Sequence, residues 1–151
     1  MDKDIIQTEV FQEITQLKQD YLKLRNKNEE DTLAYERQID SLINEIIQII
    51  DAYEKSENKV KESGLLEDEN AQKAVKRMLQ PKKVALALLA KYDVSQIDPD
   101  GKIVDDNICT VVDTEPDPDK EDGFVISIEK NGYLRGDRLI RRAEVIVVRI
   151  S

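Results

Sequence analysis

The C-terminal stretch of the chain, residues 123–151, reads GFVISIEKNGYLRGDRLIRRAEVIVVRIS. Apolar and polar residues alternate along much of it, which is typical of β-strands with one buried face, and Asn131-Gly132 is typical of a tight hairpin turn. Together these residues predict a small antiparallel β-domain at residues 98–151, which is too small for a comfortable β-core and is expected to lean on the rest of the chain. The predicted strands are residues 107–114, 124–129, 133–135, 138–140 and 144–150.

The sequence upstream of this domain predicts one very long helix. Residues 1–63 contain neither Gly nor Pro, so the simplest prediction is a single helix of about 55 to 60 residues. Its apolar residues follow the four-three spacing of a coiled-coil seam, which the polar stretch at residues 26–31 interrupts with a stutter. Such a helix has no core of its own and the remaining chain is too short to cover it, so we expect a homodimer. The predicted dimer-interface positions are Leu17, Tyr21, Leu24, Tyr35, Leu42, Ile46, Ile49 and Tyr53.

Shorter helices are predicted between the long helix and the β-domain. Ser63-Gly64 ends the long helix, Asp68 is a suitable N-cap for a second helix, and Pro81 fits the first turn of a third. The apolar stripe is widest at residues 42–50, broader than a two-stranded seam, so we expect residues 64–97 to complete a four-helix bundle between two chains. The predicted fold class is therefore α+β: a long coiled-coil-like helix and short helices in a dimeric bundle, followed by the small antiparallel β-domain.

The composition argues against catalysis by this chain. There is no His to activate the single cysteine, Cys109, which lies in an apolar alternating run and is expected to pack in a core. The five glycines form neither of the common phosphate-binding patterns, so we expect no bound nucleotide or other cofactor. Acidic runs at residues 98–101 and 113–122 lack the spacing of a calcium-binding loop. They are interpreted as solvated loops, with a weak ion site as the alternative.

Charge and hydropathy limit the possible partners. The net charge is −9, yet residues 123–151 carry six basic and three acidic groups. The overall negative charge and the lack of interleaved aromatic residues argue against nucleic acid, so the basic tail either is solvated or contacts an acidic protein surface. No stretch of 18 apolar residues occurs and the N-terminus does not resemble a signal peptide. We therefore expect a cytoplasmic protein that does not enter a membrane.

The order of these elements and the residues of the tail together resemble the GrpE family, the nucleotide-exchange factors of DnaK-type heat-shock chaperones. Residues 42–51 are similar to the end of the family's long helix, and Lys91-Tyr92-Asp93-Val94 is similar to the Lys-Phe-Gly-Val that closes its helical bundle. The chain departs from the family at Asp93, where Gly is common, at residues 104–111, and at Arg142, where Pro is frequent. The tail carries the family signature at Gly132-Tyr133, Gly136, Arg138, Leu139-Ile140-Arg141, Ala143, Val145 and Val147.

The resemblance implies a symmetric dimer of parallel long helices, a central four-helix bundle and two outlying β-domains. It also implies that one β-domain enters the nucleotide-binding domain of a DnaK-type chaperone and promotes ADP release without covalent chemistry. Arg138 and Val147 match family positions on the contacting surface, and Tyr133, Ile140 and Arg141 lie nearby in the sequence. For Tyr133 and Ile140 the alternative is a place in the β-core.

Two other functions remain open at this stage. An adaptor in which a coiled coil merely spaces two β-domains shares every helical feature, although it does not need the tail signature. An enzyme assisted by Ca²⁺ or Mg²⁺ on the acidic loops needs tight binding of that ion, which an exchange factor does not.

Overall fold

The computed structural model of the chain describes residues 3–150. These residues form an α+β fold, as predicted: a long N-terminal helix, short helices, and small sheets towards the C-terminus. The chain divides into two compact units, Met1–Leu42 and Ile43–Ser151. Within residues 3–150, no helix combines the length and the apolar character that crossing a membrane requires.

Helix α1 spans Lys3–Glu62 without interruption. It ends where the sequence predicted, because Gly64 adopts the left-handed conformation that favours glycine, with φ of 72°. In the first unit, every side chain from residue 3 to residue 39 is exposed. Local interactions such as the Arg25–Glu29 ion pair at 3.1 Å support the helix there, but they bury no apolar surface.

The second unit begins with the last turns of α1 and continues with two predicted helices. A short 3₁₀ turn at Leu65–Glu67 leads to α2, Glu69–Met78, and then to α3, Gln80–Ala90. The Asp68 carboxylate caps α2 by accepting a hydrogen bond of 2.8 Å from the backbone N–H of Ala71. Pro81 lies in the first turn of α3, where a missing N–H costs nothing.

Residues 3–150 contain six strands, which form two three-stranded sheets. They are β1 (Val94–Gln96), β2 (Cys109–Glu115), β3 (Val125–Lys130), β4 (Tyr133–Arg135), β5 (Arg138–Arg141) and β6 (Ala143–Val148). The first sheet has the order β1-β4-β5 and is antiparallel, and the second has the order β2-β6-β3. In the second sheet β3 is antiparallel to β6, whereas β2 is parallel to it. The parallel pair departs from the predicted all-antiparallel domain, and it is possible because β3 to β5 form a long connection between β2 and β6.

The prediction of a hairpin turn at Asn131-Gly132 is wrong. The strands on either side of it, β3 and β4, belong to different sheets and do not pair with each other. The close hairpin turn expected for Asn-Gly needs positive φ at both residues, yet neither is among the described residues with positive φ. Gly132 is instead required for a close approach, because a Cβ there would collide with the backbone nitrogen of Ala143 and lie 2.8 Å from the carbonyl carbon of Arg142.

The part of the chain that the structure describes has two apolar cores. The first joins α1, α3 and the first sheet, and its buried members are Ile43, Ile47, Ile50, Leu89, Val94 and Tyr133. The second lies on the second sheet, and its buried members are Cys109, Val125, Ala143, Val145 and Val147. Cys109 therefore packs in a core, as predicted, and its desolvation there raises the pKa of the thiol.

Candidate functional site

The tip of the β4–β5 hairpin carries two arginines side by side. Arg135 ends β4 and faces Arg138, which begins β5, as the last pair in the register. Gly136 and Asp137 connect the two arginines, and Gly136 has a positive φ of 58°. Arg138 is exposed on β5, and β5 is an edge strand of the first sheet. The hairpin tip therefore carries two arginines with the exposed Asp137 between them, a net positive charge of one, on an edge strand of the first sheet.

The three apolar candidates from the sequence are held in the cores. The side chain of Tyr133 is fully buried in the first core, and Ile140 packs against that core. Val147 is buried in the second core. The alternative stated for Tyr133 and Ile140, a place in the β-core, is where the structure puts them. Tyr133 and Ile140 belong to the same sheet as Arg138, whereas Val147 belongs to the other sheet.

Arg141 points to helix α1. Its guanidinium donates to both carboxylate oxygens of Asp51, with Nη1–Oδ2 at 2.6 Å and Nη2–Oδ1 at 2.7 Å. It also donates to the carbonyl oxygen of Asn131, from Nε at 3.1 Å and from Nη2 at 2.7 Å. The guanidinium carbon lies 5.3 Å from the centroid of the Tyr133 ring, within the range of a cation–π contact. The hydrogen bonds to Asp51 raise the pKa of Arg141, because they stabilise its charged form.

The polar contacts continue from Tyr133 along α1. The Gln96 side-chain amide donates to the Tyr133 hydroxyl oxygen at 3.0 Å and to Glu54 Oε1 at 3.1 Å. Lys82, on α3, donates to Glu57 at 2.9 Å and lies 3.6 Å from Glu54. The hydrogen bond from Lys82 lowers the pKa of the Glu57 carboxyl. A line of carboxylates on α1, formed by Asp51, Glu54 and Glu57, thus fastens both the first sheet and α3 to the long helix.

Helix α1 uses two different faces at residues 42–50. Ile43, Ile47 and Ile50 are buried against the chain's own core, whereas Leu42 and Ile49 are exposed. The broad apolar stripe in the sequence is therefore two adjacent stripes, of which one is covered within the chain. Among the other dimer-interface candidates, Leu17, Tyr21, Leu24 and Tyr35 are exposed, Tyr53 is half-buried, and Ile46 packs against the first core.

Sequence reasoning missed Asp51, Gln96 and Asn131. Their role depends on which element packs on which, and neither spacing nor periodicity carries that information. One signal was available: Asp51 follows directly on the apolar run of α1, and charged groups taken out of water are usually paired with an opposite charge. Residues 3–150 include no grouping of three or more His, Cys, Asp or Glu side chains suited to holding a metal ion.

Comparisons with a family model and with curated sequences point to the same family. A family model described as GrpE matches residues 4–149. The chain is 29% identical over 109 residues to a protein named Protein GrpE from Chromohalobacter salexigens, covering 72% of this chain and 49% of that protein. It is 30% identical over 115 residues to Protein GrpE from Legionella pneumophila strain Corby, covering 76% and 54% of the two chains. For Protein GrpE from Francisella tularensis subsp. holarctica strain OSU18 the identity is 27% over 111 residues, covering 74% and 54%. The chain thus spans about half the length of the curated relatives it matches.

Proposed function

The chain belongs to the GrpE family, and from that membership we propose that it is a nucleotide-exchange factor. It binds the nucleotide-binding domain of a DnaK-type chaperone and accelerates the release of ADP. The observation that carries the proposal for the contact itself is the exposed cationic tip of the β4–β5 hairpin, at the position of the family signature. Arginine's planar guanidinium suits carboxylates on a partner surface.

The mechanism needs no covalent chemistry on this chain. The factor binds the open form of the nucleotide-binding domain more tightly than the closed form that holds ADP, and so it shifts the population to the open form. Linkage then requires that ADP weakens the binding of the factor by the same ratio by which the factor weakens the binding of ADP. The protein acts as a co-chaperone in protein folding and the heat-shock response.

Dimerisation and contact with the chaperone are assigned to different parts of the chain. Residues 1–63 form the dimerisation helix, residues 64–97 complete a four-helix bundle with the second copy, and residues 98–151 contact the chaperone. The exposed apolar side chains on α1 support the dimer, and so do those on α2 and α3, including Met78, Val84 and Leu88. Arg138 is the principal contact on the β-domain. Tyr133 and Ile140 support the sheet of Arg138 from the first core, whereas Val147 is buried in the second core and supports the other sheet.

The test is the release rate of a fluorescent ADP analogue from a DnaK-type chaperone of the same source. The wild-type protein is expected to accelerate release strongly, and Arg138→Ala is expected to reduce that acceleration by about tenfold or more, as for the loss of a charged contact in an interface. Arg142→Ala is the matched control, because Arg142 is also exposed and its change removes the same charge just beyond the other end of β5, away from the hairpin tip. No acceleration by a folded wild-type dimer refutes the exchange function and favours the adaptor.

A further inference from the structure

Arg141 is tied to three parts of the second unit at once. It lies on β5 of the first sheet, its carboxylate partner Asp51 lies on α1, and its carbonyl partner Asn131 lies in the segment that joins the two sheets. The guanidinium therefore bridges the long helix, the first sheet and the junction to the second sheet.

The four hydrogen bonds of Arg141 constrain direction as well as distance. A bidentate pair of guanidinium and carboxylate is planar, so it resists rotation of β5 about α1, whereas the apolar contacts of Tyr133 and Ile140 in the first core are non-directional. The side chains of Arg141 and Asp51 are only 22% and 24% exposed, so solvent and salt screen this pair less than a surface pair. The bidentate contact between Arg141 and Asp51, rather than the first core alone, sets the orientation of the first sheet on α1.

Strand β5 also carries Arg138, the proposed contact with the chaperone. Arg138 begins β5 and Arg141 ends it, so a fixed Arg141 fixes the direction in which the hairpin tip presents Arg138. This matters for exchange because acceleration depends on the difference in affinity between two forms of the chaperone. A rigid surface can fit the open form and misfit the closed form, whereas a sheet that swivels on its helix adapts to both.

We propose that Arg141, through its bidentate contact with Asp51, is a positioning residue that makes binding selective for the open form of the chaperone. This inference rests on the proposed exchange function and assigns Arg141 a role distinct from the direct contact expected from the sequence. Loss of the bidentate Arg141–Asp51 contact lowers the coupling between this protein and ADP. It lowers the affinity of this protein for the nucleotide-free chaperone less. Loss of folded protein, by contrast, reduces both affinities by the same factor.

The experiment measures the dissociation constant of the full chain for the chaperone twice, without nucleotide and with saturating ADP. The ratio of the two constants is the coupling. Arg141→Lys keeps the positive charge but loses the planar guanidinium that binds Asp51 through two hydrogen bonds. Asp51→Asn keeps the shape of the side chain but loses its negative charge. Each is expected to lower the ratio about tenfold, with a change of less than about threefold in the affinity without nucleotide. The double variant is expected to behave like either single variant, because both changes break one contact.

Glu57→Gln is the matched control, since Glu57 is a half-buried carboxylate on the same helix whose two lysine partners, Lys82 on α3 and Lys61 on α1, lie outside the sheet. It is expected to leave the ratio unchanged. Circular dichroism of every variant checks the fold, and the ratio itself corrects for any unfolded fraction. A ratio that stays at the wild-type value in both Arg141→Lys and Asp51→Asn overturns this inference while leaving the exchange function intact. Wild-type protein that binds both forms equally overturns the exchange function, and this inference with it.

Discussion

Tyr133 has a fully buried ring, yet its hydroxyl accepts a hydrogen bond from Gln96. Burial disfavours the phenolate, and together with the nearby carboxylates of Glu54 and Asp51 it raises the pKa of Tyr133 from 10.0 to about 12. The neutral form is therefore favoured in the folded state. Its contribution to stability is fully present below the unfolded pKa of 10.0 and is lost as the pH rises through about 12.

We expect the free energy of unfolding to fall by about 1 kcal/mol from this residue alone between pH 9 and pH 11. Tyr133→Phe removes the ionisable group and should flatten that part of the profile, although it also removes the hydrogen bond and so lowers stability at neutral pH. The measurement is denaturant unfolding at a series of alkaline pH values, with Tyr92→Phe as the control because Tyr92 is exposed. Parallel profiles for wild type and Tyr133→Phe contradict the expected role of the buried hydroxyl.

At the scale of the elements, Gly132 decides how the two sheets meet. Its carbonyl accepts a hydrogen bond of 2.9 Å from the N–H of Ile97, so the segment between β3 and β4 lies directly against the segment after β1. A Cβ at this position would lie 2.8 Å from Cδ1 of Ile97 as well as colliding with the backbone of residues 142–143. Backbone cannot yield as the end of a flexible side chain can, so the sheets themselves must separate.

Gly132→Ala is therefore expected to destabilise the β-domain by about 3 kcal/mol. Gly136→Ala is the matched control, because a Cβ there meets nothing within 4 Å although its φ of 58° is strained for alanine. It should cost only about 1 kcal/mol. Amide hydrogen exchange of β4 and β6 in both variants measures the difference. Equal protection of those strands in the two variants counts against the close approach.

The sequence predicted the elements better than their pairing. The end of α1 near Gly64, the Asp68 cap and the place of Pro81 follow from local conformational rules that act within one turn. The wrong hairpin shows the limit, because Gly132 suits both a close turn and a close approach of two backbones, and only the packing of the sheets distinguishes them. Strand β1, Val94–Gln96, was not predicted, because it forms by pairing with the distant β4 and no local signal in the sequence marks that pairing.

The candidate site shows the same limit in its side chains. The resemblance to the family singled out Tyr133, Arg141 and Val147 by position, but positions do not state orientation. The structure buries Tyr133 and Val147 and directs Arg141 to Asp51, because the first sheet packs on α1 and the second sheet has a core of its own. Of the five residues proposed to contact the chaperone, Tyr133, Arg138, Ile140, Arg141 and Val147, Arg138 alone is exposed.

At the scale of the whole molecule, the uncovered apolar side chains of α1 need an explanation. Leu17 is 71% exposed and Leu24 is 68% exposed, and they recur at the spacing of a coiled-coil seam. A helix of this length is stable in water only when such a stripe is buried. A second copy of the chain offers the same stripe and satisfies this requirement for both helices at once.

We therefore expect the protein to be a dimer whose helix content melts at a temperature that rises with protein concentration. Leu24→Glu places a charge in the seam of each helix at a cost of about 2 kcal/mol or more per chain, which raises the dimer dissociation constant about a thousandfold. Lys23→Glu is the control, because it introduces the same side chain one residue away, off the seam. Sedimentation equilibrium of the wild type, Leu24→Glu and Lys23→Glu proteins measures the dimer dissociation constant of each. If wild-type protein sediments as a monomer with its helix content intact, the seam is not what stabilises α1, and the covering partner must be sought in another protein.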